Sequence, residues 1–167
     1  MSYAIVTGAS AGIGKEIAIQ LAERGHDIIL TARRENRLQE IASEIRSRYQ
    51  VNVDYITADL VEVDAPDQIH EFCKNNNYDV EILINNAGYG LPKPFHEVPM
   101  EDEEKSLRVL AISVIALTKK FVPDLLARGG GKVMIVSSVA SFAPPSAIQT
   151  LYGAIKAFMN RFSDSIN

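Results

Sequence analysis

Short apolar runs alternate with longer segments of helical periodicity along this chain. The runs are rich in Val and Ile and mostly unbroken: YAIV (3–6), DIIL (27–30), VNVDYI (51–56), VEILI (80–84) and KVMIV (132–136). Unbroken apolar runs of this length are typical of parallel strands buried on both faces. The pattern therefore predicts five strands.

The segments between the runs repeat their apolar residues every three or four positions, as amphipathic helices do. The longest is predicted from Glu101 to about Arg128. One stripe of it holds Leu107, Leu110, Ala111, Val114, Leu117 and Phe121. Five strand-and-helix pairs predict an α/β fold, a doubly wound parallel sheet with right-handed crossovers, in a single domain of residues 1–167.

Composition and charge indicate which partners, metal sites and location to expect. A net charge of −4 weighs against nucleic acid or an anionic membrane as the main partner. Cys73 is the only cysteine and the three histidines are scattered, so no metal site is predicted. The first residues carry no basic leader, and no apolar run approaches the roughly 20 residues of a membrane span. We therefore expect a cytoplasmic protein.

The candidate chemistry lies where the strands end, which is where open parallel sheets bind ligands. TGASAGIG follows the first strand, with glycines at 8, 12 and 14, and opens a helix. Glycines permit a tight turn and let a pyrophosphate approach the free N–H groups of the helix start. The spacing differs from G-x-G-x-x-G. The motif can be interpreted as a dinucleotide-binding turn or as a plain strand-to-helix turn. The flanking strand and helix favour dinucleotide binding.

TARR follows the second strand, where an acidic residue would bind the 2′-hydroxyl of an adenosine ribose. The chain has Ala32 there instead, followed by Arg33 and Arg34. A guanidinium can form charge-assisted bonds to a 2′-phosphate, so this favours NADP over NAD. Arg33 is the preferred candidate; Arg34 could equally well solvate the next helix.

The remaining strand ends also carry small or polar groups. They are Asp59 after the third strand, Asn85 to Gly88 (NNAG) after the fourth, and Ser137 and Ser138 after the fifth. Tyr152 and Lys156 follow in LYGAIK. Four residues apart on a helix, these two side chains share one face, so the ammonium can stabilise a phenolate.

In this order, TGASAGIG, Asp59-Leu60, NNAG, Ser138 and YGAIK resemble the short-chain dehydrogenase/reductase family across the whole chain. The resemblance implies a Rossmann fold with strand order 3-2-1-4-5 and NADP(H)-dependent hydride transfer to or from a small carbonyl or alcohol substrate. It implies Tyr152 as the proton donor, Ser138 as the group that holds the carbonyl oxygen, and Lys156 as the ligand of the nicotinamide ribose. It also implies a homo-oligomer. The predicted cofactor contacts are Gly8, Ser10, Gly12, Ile13, Gly14, Arg33, Asp59, Leu60, Asn86, Ala87, Gly88, Tyr152 and Lys156.

The chain departs from the family pattern in two ways. The family commonly has an asparagine in the long helix, and Leu110 stands at that position here, with Ser113 as a weak substitute. Family members also continue through two further strands. Without those strands, the fifth strand would lie at an uncovered edge of the sheet. A non-catalytic NADP(H)-binding or regulatory protein, or an inactive fragment of such an enzyme, is therefore the alternative to an active reductase.

Overall fold

The five predicted strands lie parallel in one sheet in the computed structural model, which describes residues 2–144 and 150–166. They are β1 (Tyr3–Thr7), β2 (Asp27–Ala32), β3 (Val53–Thr57), β4 (Val80–Asn85) and β5 (Lys132–Ile135). Their order across the sheet is β3-β2-β1-β4-β5, as predicted. The order reverses between β1 and β4, and a crevice forms at such a reversal in doubly wound sheets.

Helices connect the strands and cover both faces of the sheet. They are α1 (Gly12–Glu23), α2 (Glu35–Arg48), α3 (Ala65–Asn75), α4 (Met100–Leu107), α5 (Ser113–Ala127) and α6 (Thr150–Ser165). Short 3-10 turns lie at Phe95–Glu97 and Val139–Ser141. None of the helices within the described ranges combines the length and apolar character that a bilayer crossing requires.

The sheet separates two apolar cores. Ala4 and Val6 of β1 point to the core that α1 and α2 cover, where Leu38 and Ile45 are fully buried. Ile5, between them, points to the other core, where α3 and α5 contribute Ile69, Cys73, Leu117 and Phe121. Cys73 is thus a buried small apolar residue.

A π-helical turn interrupts the longest predicted helix. Arg108–Ile112 forms this turn between α4 and α5. Each π turn adds a residue to the repeat, so side chains before and after it no longer share one stripe. Leu107, predicted on the buried stripe, is 41% exposed, whereas Leu110 is 1% exposed. The turn forms a third core, in which Leu110, Ala111 and Val114 pack against α6.

The strand β5 lies at the edge of the sheet, as expected, but it is not buried on both faces. Lys132 and Met134 are exposed, and Val133 and Ile135 are half-buried. The prediction of burial on both faces was wrong because only the face that carries Val133 and Ile135 packs against the apolar cores, whereas Lys132 and Met134 face solvent.

Candidate active site

A cleft of about 420 Å³ opens at the carboxyl ends of the strands. Its lining includes every predicted site residue except Gly12 and Ser138. Residues that sequence reasoning did not single out also line it: Ala11, Thr31, Ala58, Tyr89, Val109 and Val136. Tyr89 directly follows NNAG, which was an available signal; Val109 lies on the π turn and carried none.

The glycine turn after β1 has a shape that only glycine accepts readily. Gly8 and Gly12 have φ angles of +67° and +55°, in the left-handed region that disfavours side chains. A Cβ on Gly14 would lie 2.5 Å from the Gly8 carbonyl oxygen. The helix α1 begins with no side-chain cap at Ala11. The start of α1 lines the cleft through Ala11, Ile13 and Gly14, and first-turn N–H groups without a side-chain cap are suited to bind an anion.

Thr7 joins the ends of β1 and β4. Its buried hydroxyl accepts hydrogen bonds from the Asn86 N–H at 2.9 Å and the Ala87 N–H at 3.0 Å, and donates to the Ile84 carbonyl at 3.2 Å. The Asn86 side-chain amide donates in turn to the Thr7 carbonyl at 2.9 Å. Asn86 therefore shapes the cleft by tying two strands together, a role that the sequence alone did not suggest for either residue.

Two arginines lie at the β2 end of the cleft. Arg34 donates from Nη2 to the Ser10 hydroxyl at 2.9 Å, so its guanidinium is held over the glycine turn. Arg33 Nη1 lies 3.9 Å from Asp59 Oδ2, and both side chains are exposed. The cleft thus has two cations beside Ala32 and Ser10. The sequence left Arg34 open; its contact with Ser10 brings it into the site.

Tyr152 and Lys156 lie at the opposite end of the cleft, on α6. Lys156 Nζ is 5.8 Å from the centroid of the Tyr152 ring. It donates to the Val136 carbonyl at 2.7 Å, and only 5% of the residue is exposed. This burial lowers the pKa of Lys156 below its usual value. A buried ammonium gains most from a neighbouring anion, which a phenolate at Tyr152 would supply.

Ser138 lies beside the cleft and begins the 3-10 turn Val139–Ser141. Its hydroxyl accepts a hydrogen bond from the Ala140 N–H at 3.2 Å. Ser137 lines the cleft directly and donates to the Lys156 carbonyl at 3.4 Å. The structure thus brings Tyr152, Lys156 and Ser137 to the cleft lining and leaves Ser138 half-buried at its margin.

Leu110 occupies the space below Gly88. A Cβ on Gly88 would lie 2.6 Å from Leu110 Cδ2 and 3.9 Å from Lys156 Nζ. The Leu110 methyl groups therefore form an apolar floor near the buried ammonium. Ser113, the weak substitute for a polar group here, donates its hydroxyl to the Val109 carbonyl at 2.8 Å and so is engaged within the helix.

Three observations indicate that a dinucleotide fits this cleft. Gly8 and Gly14 let the turn pack closely against neighbouring backbone and Asn86, with open space beside Gly12. The start of α1 has no side-chain cap, and two guanidinium groups lie at one end of the cleft. Within residues 2–144 and 150–166, no cluster of three His, Cys, Asp or Glu side chains could hold a metal ion.

Comparison with known proteins gives a consistent match. A family model described as short chain dehydrogenase matches residues 2–167. The very-long-chain 3-oxoacyl-CoA reductase of Bos taurus is 35% identical over 169 residues, covering 99% of this chain and 53% of the relative. The duck protein of the same name is also 35% identical, with 54% of its length covered. The chain therefore spans about half the length of these curated relatives.

Solved structures agree with the fold. A bulky-bulky ketone specific alcohol dehydrogenase from Comamonas testosteroni is 30% identical with a TM-score of 0.93, covering 100% of this chain and 66% of that chain. A short-chain dehydrogenase from Sphingobium yanoikuyae in complex with NADPH is 31% identical, also with a TM-score of 0.93 and 100% coverage, spanning 64% of that chain.

Proposed function

Since this chain belongs to the short-chain dehydrogenase family, we propose that it is an NADP(H)-dependent oxidoreductase that acts on a carbonyl or alcohol substrate. The observation that carries the proposal is the geometry of one cleft, with Lys156 buried beside Tyr152 at one end and Arg33 and Arg34 at the other. The family membership supports an oxidoreductase; the assignment of residues and cofactor preference is our proposal.

The nucleotide would extend along the cleft between these two ends. The glycine turn and the first N–H groups of α1 would hold the pyrophosphate. Arg33 and Arg34 would bind a 2′-phosphate, a preference supported by the small Ala32 and by the absence of an acidic side chain at that position. Asp59 and Leu60 would contact the adenine, and Lys156 would bind the nicotinamide ribose. The nicotinamide would supply or accept the hydride when bound.

The protein's own chemistry in this proposal is a proton transfer. In the reductive direction the Tyr152 hydroxyl gives its proton to the carbonyl oxygen, and the resulting phenolate is stabilised by the Lys156 ammonium. Ser138 donates a hydrogen bond to the same oxygen as negative charge develops on it. The phenolate then regains a proton from solvent. The oxidative direction reverses each step.

The names of the relatives suggest a substrate to test first. The cattle and duck relatives are named for very-long-chain 3-oxoacyl-CoA reduction, and a neighbouring structure is named for bulky ketones. We therefore propose a ketone substrate, with a long-chain 3-oxoacyl-CoA as the first probe. Homo-oligomer formation and cytoplasmic location stay predictions.

The decisive experiment compares the wild-type protein with Tyr152→Phe. We expect the wild type to consume NADPH when a long-chain 3-oxoacyl-CoA is added, and the variant to retain NADPH binding without turnover. If Tyr152→Phe keeps the wild-type rate, Tyr152 is not the acid. The apolar Leu110 floor favours one other function, a non-catalytic NADP(H)-binding protein. That alternative predicts NADPH binding by the wild type with no turnover over a broad panel of carbonyls.

A further inference from the structure

The helix α6 is tied to residues 136–141 at three places along one face. Lys156 Nζ donates to the Val136 carbonyl at 2.7 Å, and Ser137 donates to the Lys156 carbonyl at 3.4 Å. One turn further on, Asn160 Nδ2 donates to the Ser141 hydroxyl at 3.0 Å. The helical repeat puts residues 152, 156 and 160 on the same face, so the face that carries Tyr152 also holds this segment.

The third tie reaches Ser138. The Ser141 hydroxyl accepts from Asn160 and donates to the Ser138 carbonyl at 2.5 Å. Ser138 begins a 3-10 turn of three residues, and such a short turn has little stiffness of its own. The two hydrogen bonds therefore fix the backbone from which the Ser138 side chain projects.

Close packing supports the same contact. A Cβ on Gly153, the residue after Tyr152, would lie 3.0 Å from the Ala140 carbonyl oxygen. The missing side chain lets α6 approach the 3-10 turn closely. Asn160 is itself half-buried, so its hydrogen bond to Ser141 is partly protected from water, which strengthens it.

We propose that Asn160 is a positioning residue that acts through Ser141 to hold Ser138 at a fixed place relative to Tyr152. The inference rests on the proposed function, in which Ser138 and Tyr152 meet the same carbonyl oxygen. Two donors must converge on that oxygen from different elements, and Asn160 couples the elements. An error of about 1 Å in such an arrangement can cost on the order of 100-fold in rate.

Four variants test the coupling. Asn160→Ala removes the donor. Asn160→Asp keeps the shape but, when ionised, can only accept, so it draws the Ser141 hydroxyl away from the Ser138 carbonyl. Ser141→Ala breaks both bonds, whereas Ser141→Thr keeps a hydroxyl. Arg161→Ala, at the exposed neighbour of Asn160 on the same helix, is the matched control.

We expect Asn160→Ala and Asn160→Asp to lower kcat for a long-chain 3-oxoacyl-CoA by about tenfold or more, with the Kd for NADPH unchanged. Ser141→Ala should lower kcat by a similar factor. The double variant Asn160→Ala/Ser141→Ala should have the same kcat as Ser141→Ala alone. Ser141→Thr and Arg161→Ala should stay within about twofold of the wild type.

Amide hydrogen exchange gives a readout that does not depend on turnover. The Ala140 N–H is bonded to the Ser138 hydroxyl and the Ser141 N–H to the Ser138 carbonyl. Both should exchange faster in Asn160→Ala than in Arg161→Ala. Unchanged protection of these amides would overturn the proposal, as would wild-type kcat in both Asn160 variants while Ser138→Ala is inactive. If Ser138→Ala keeps full rate, the assigned role of Ser138 fails instead, and the exchange data still decide the coupling.

Discussion

Leu110 packs so tightly under Gly88 that a Cβ at position 88 would lie 2.6 Å from the Leu110 Cδ2 atom. Leu110 is 1% exposed and belongs to the core that joins the π turn to α6. Leu110 thus lies directly behind Gly88, which lines the cleft together with Lys156. A leucine at the position where the resembled family commonly has asparagine makes this floor apolar.

Gly88→Ala should therefore weaken NADPH binding, because the new methyl group displaces Leu110 or protrudes into the cleft. Overpacking of this kind typically costs about 1–3 kcal/mol of stability. The measurement is the Kd for NADPH by fluorescence titration. Gly88→Ala/Leu110→Ala frees the space and should recover part of the affinity. Equal affinity in the wild type and Gly88→Ala would contradict the packing argument.

Thr7→Val tests the junction of β1 and β4. Valine has the shape of threonine but cannot accept the hydrogen bonds from Asn86 and Ala87. Leaving two partly buried N–H groups without this acceptor should cost about 1–3 kcal/mol. Urea unfolding monitored by circular dichroism measures this loss. Thr7→Ser keeps the hydroxyl and should lose less than half as much.

Arg33→Ala and Arg34→Ala test the predicted cofactor preference. If the guanidinium groups bind a 2′-phosphate, each variant should raise the Kd for NADPH by about tenfold, with the Kd for NADH changed less than twofold. Arg37→Ala, an exposed arginine of α2 paired with Glu40, serves as the control. An equal loss for both cofactors would show that these arginines do not recognise the phosphate.

Lys156→Met should stabilise the protein near neutral pH while abolishing turnover. Burial lowers the pKa of Lys156 in the folded state, so the charged form is penalised on folding at every pH below that value. This loss of folding free energy shrinks as the pH rises above the folded-state pKa, and it disappears above about pH 10.4, where the unfolded lysine also loses its proton. The Tm difference between variant and wild type should thus be positive at pH 7 and shrink towards pH 10. Lys119→Met, at an exposed lysine of α5, should show no such trend.

Much of the fold could be predicted because the strands carry a local signal. Apolar runs such as DIIL are buried as parallel strands require, and Gly8 and Gly12 of TGASAGIG occupy positions that need positive φ angles. The polar groups at the strand ends meet because all five strands are parallel, so one observation about topology predicts one shared cleft.

The remaining features of the fold and the site could not be predicted because they depend on contacts between residues that are distant in the sequence. The π turn at Arg108–Ile112 shifts the buried stripe and exposes Leu107, although its sequence fits an ordinary helix. The helix α1 buries the small residues Gly14, Ala18 and Ala22, whereas the large apolar Ile13 in its first turn is 64% exposed and lines the cleft. The ties from Thr7 to Asn86 and from Asn160 to Ser141 join distant parts of the chain.

The junction of β1 and β4 also bears on how this protein could be redesigned. The residues proposed to choose the coenzyme all lie between 8 and 60, whereas those proposed to move the proton lie between 138 and 156. The segment proposed to set coenzyme preference is thus open to exchange by recombination without altering the residues proposed to transfer the proton. A chimera that replaces residues 8–60 must retain Thr7 and Asn86 as a matched pair, since their hydrogen bonds hold the end of β1 beside the end of β4.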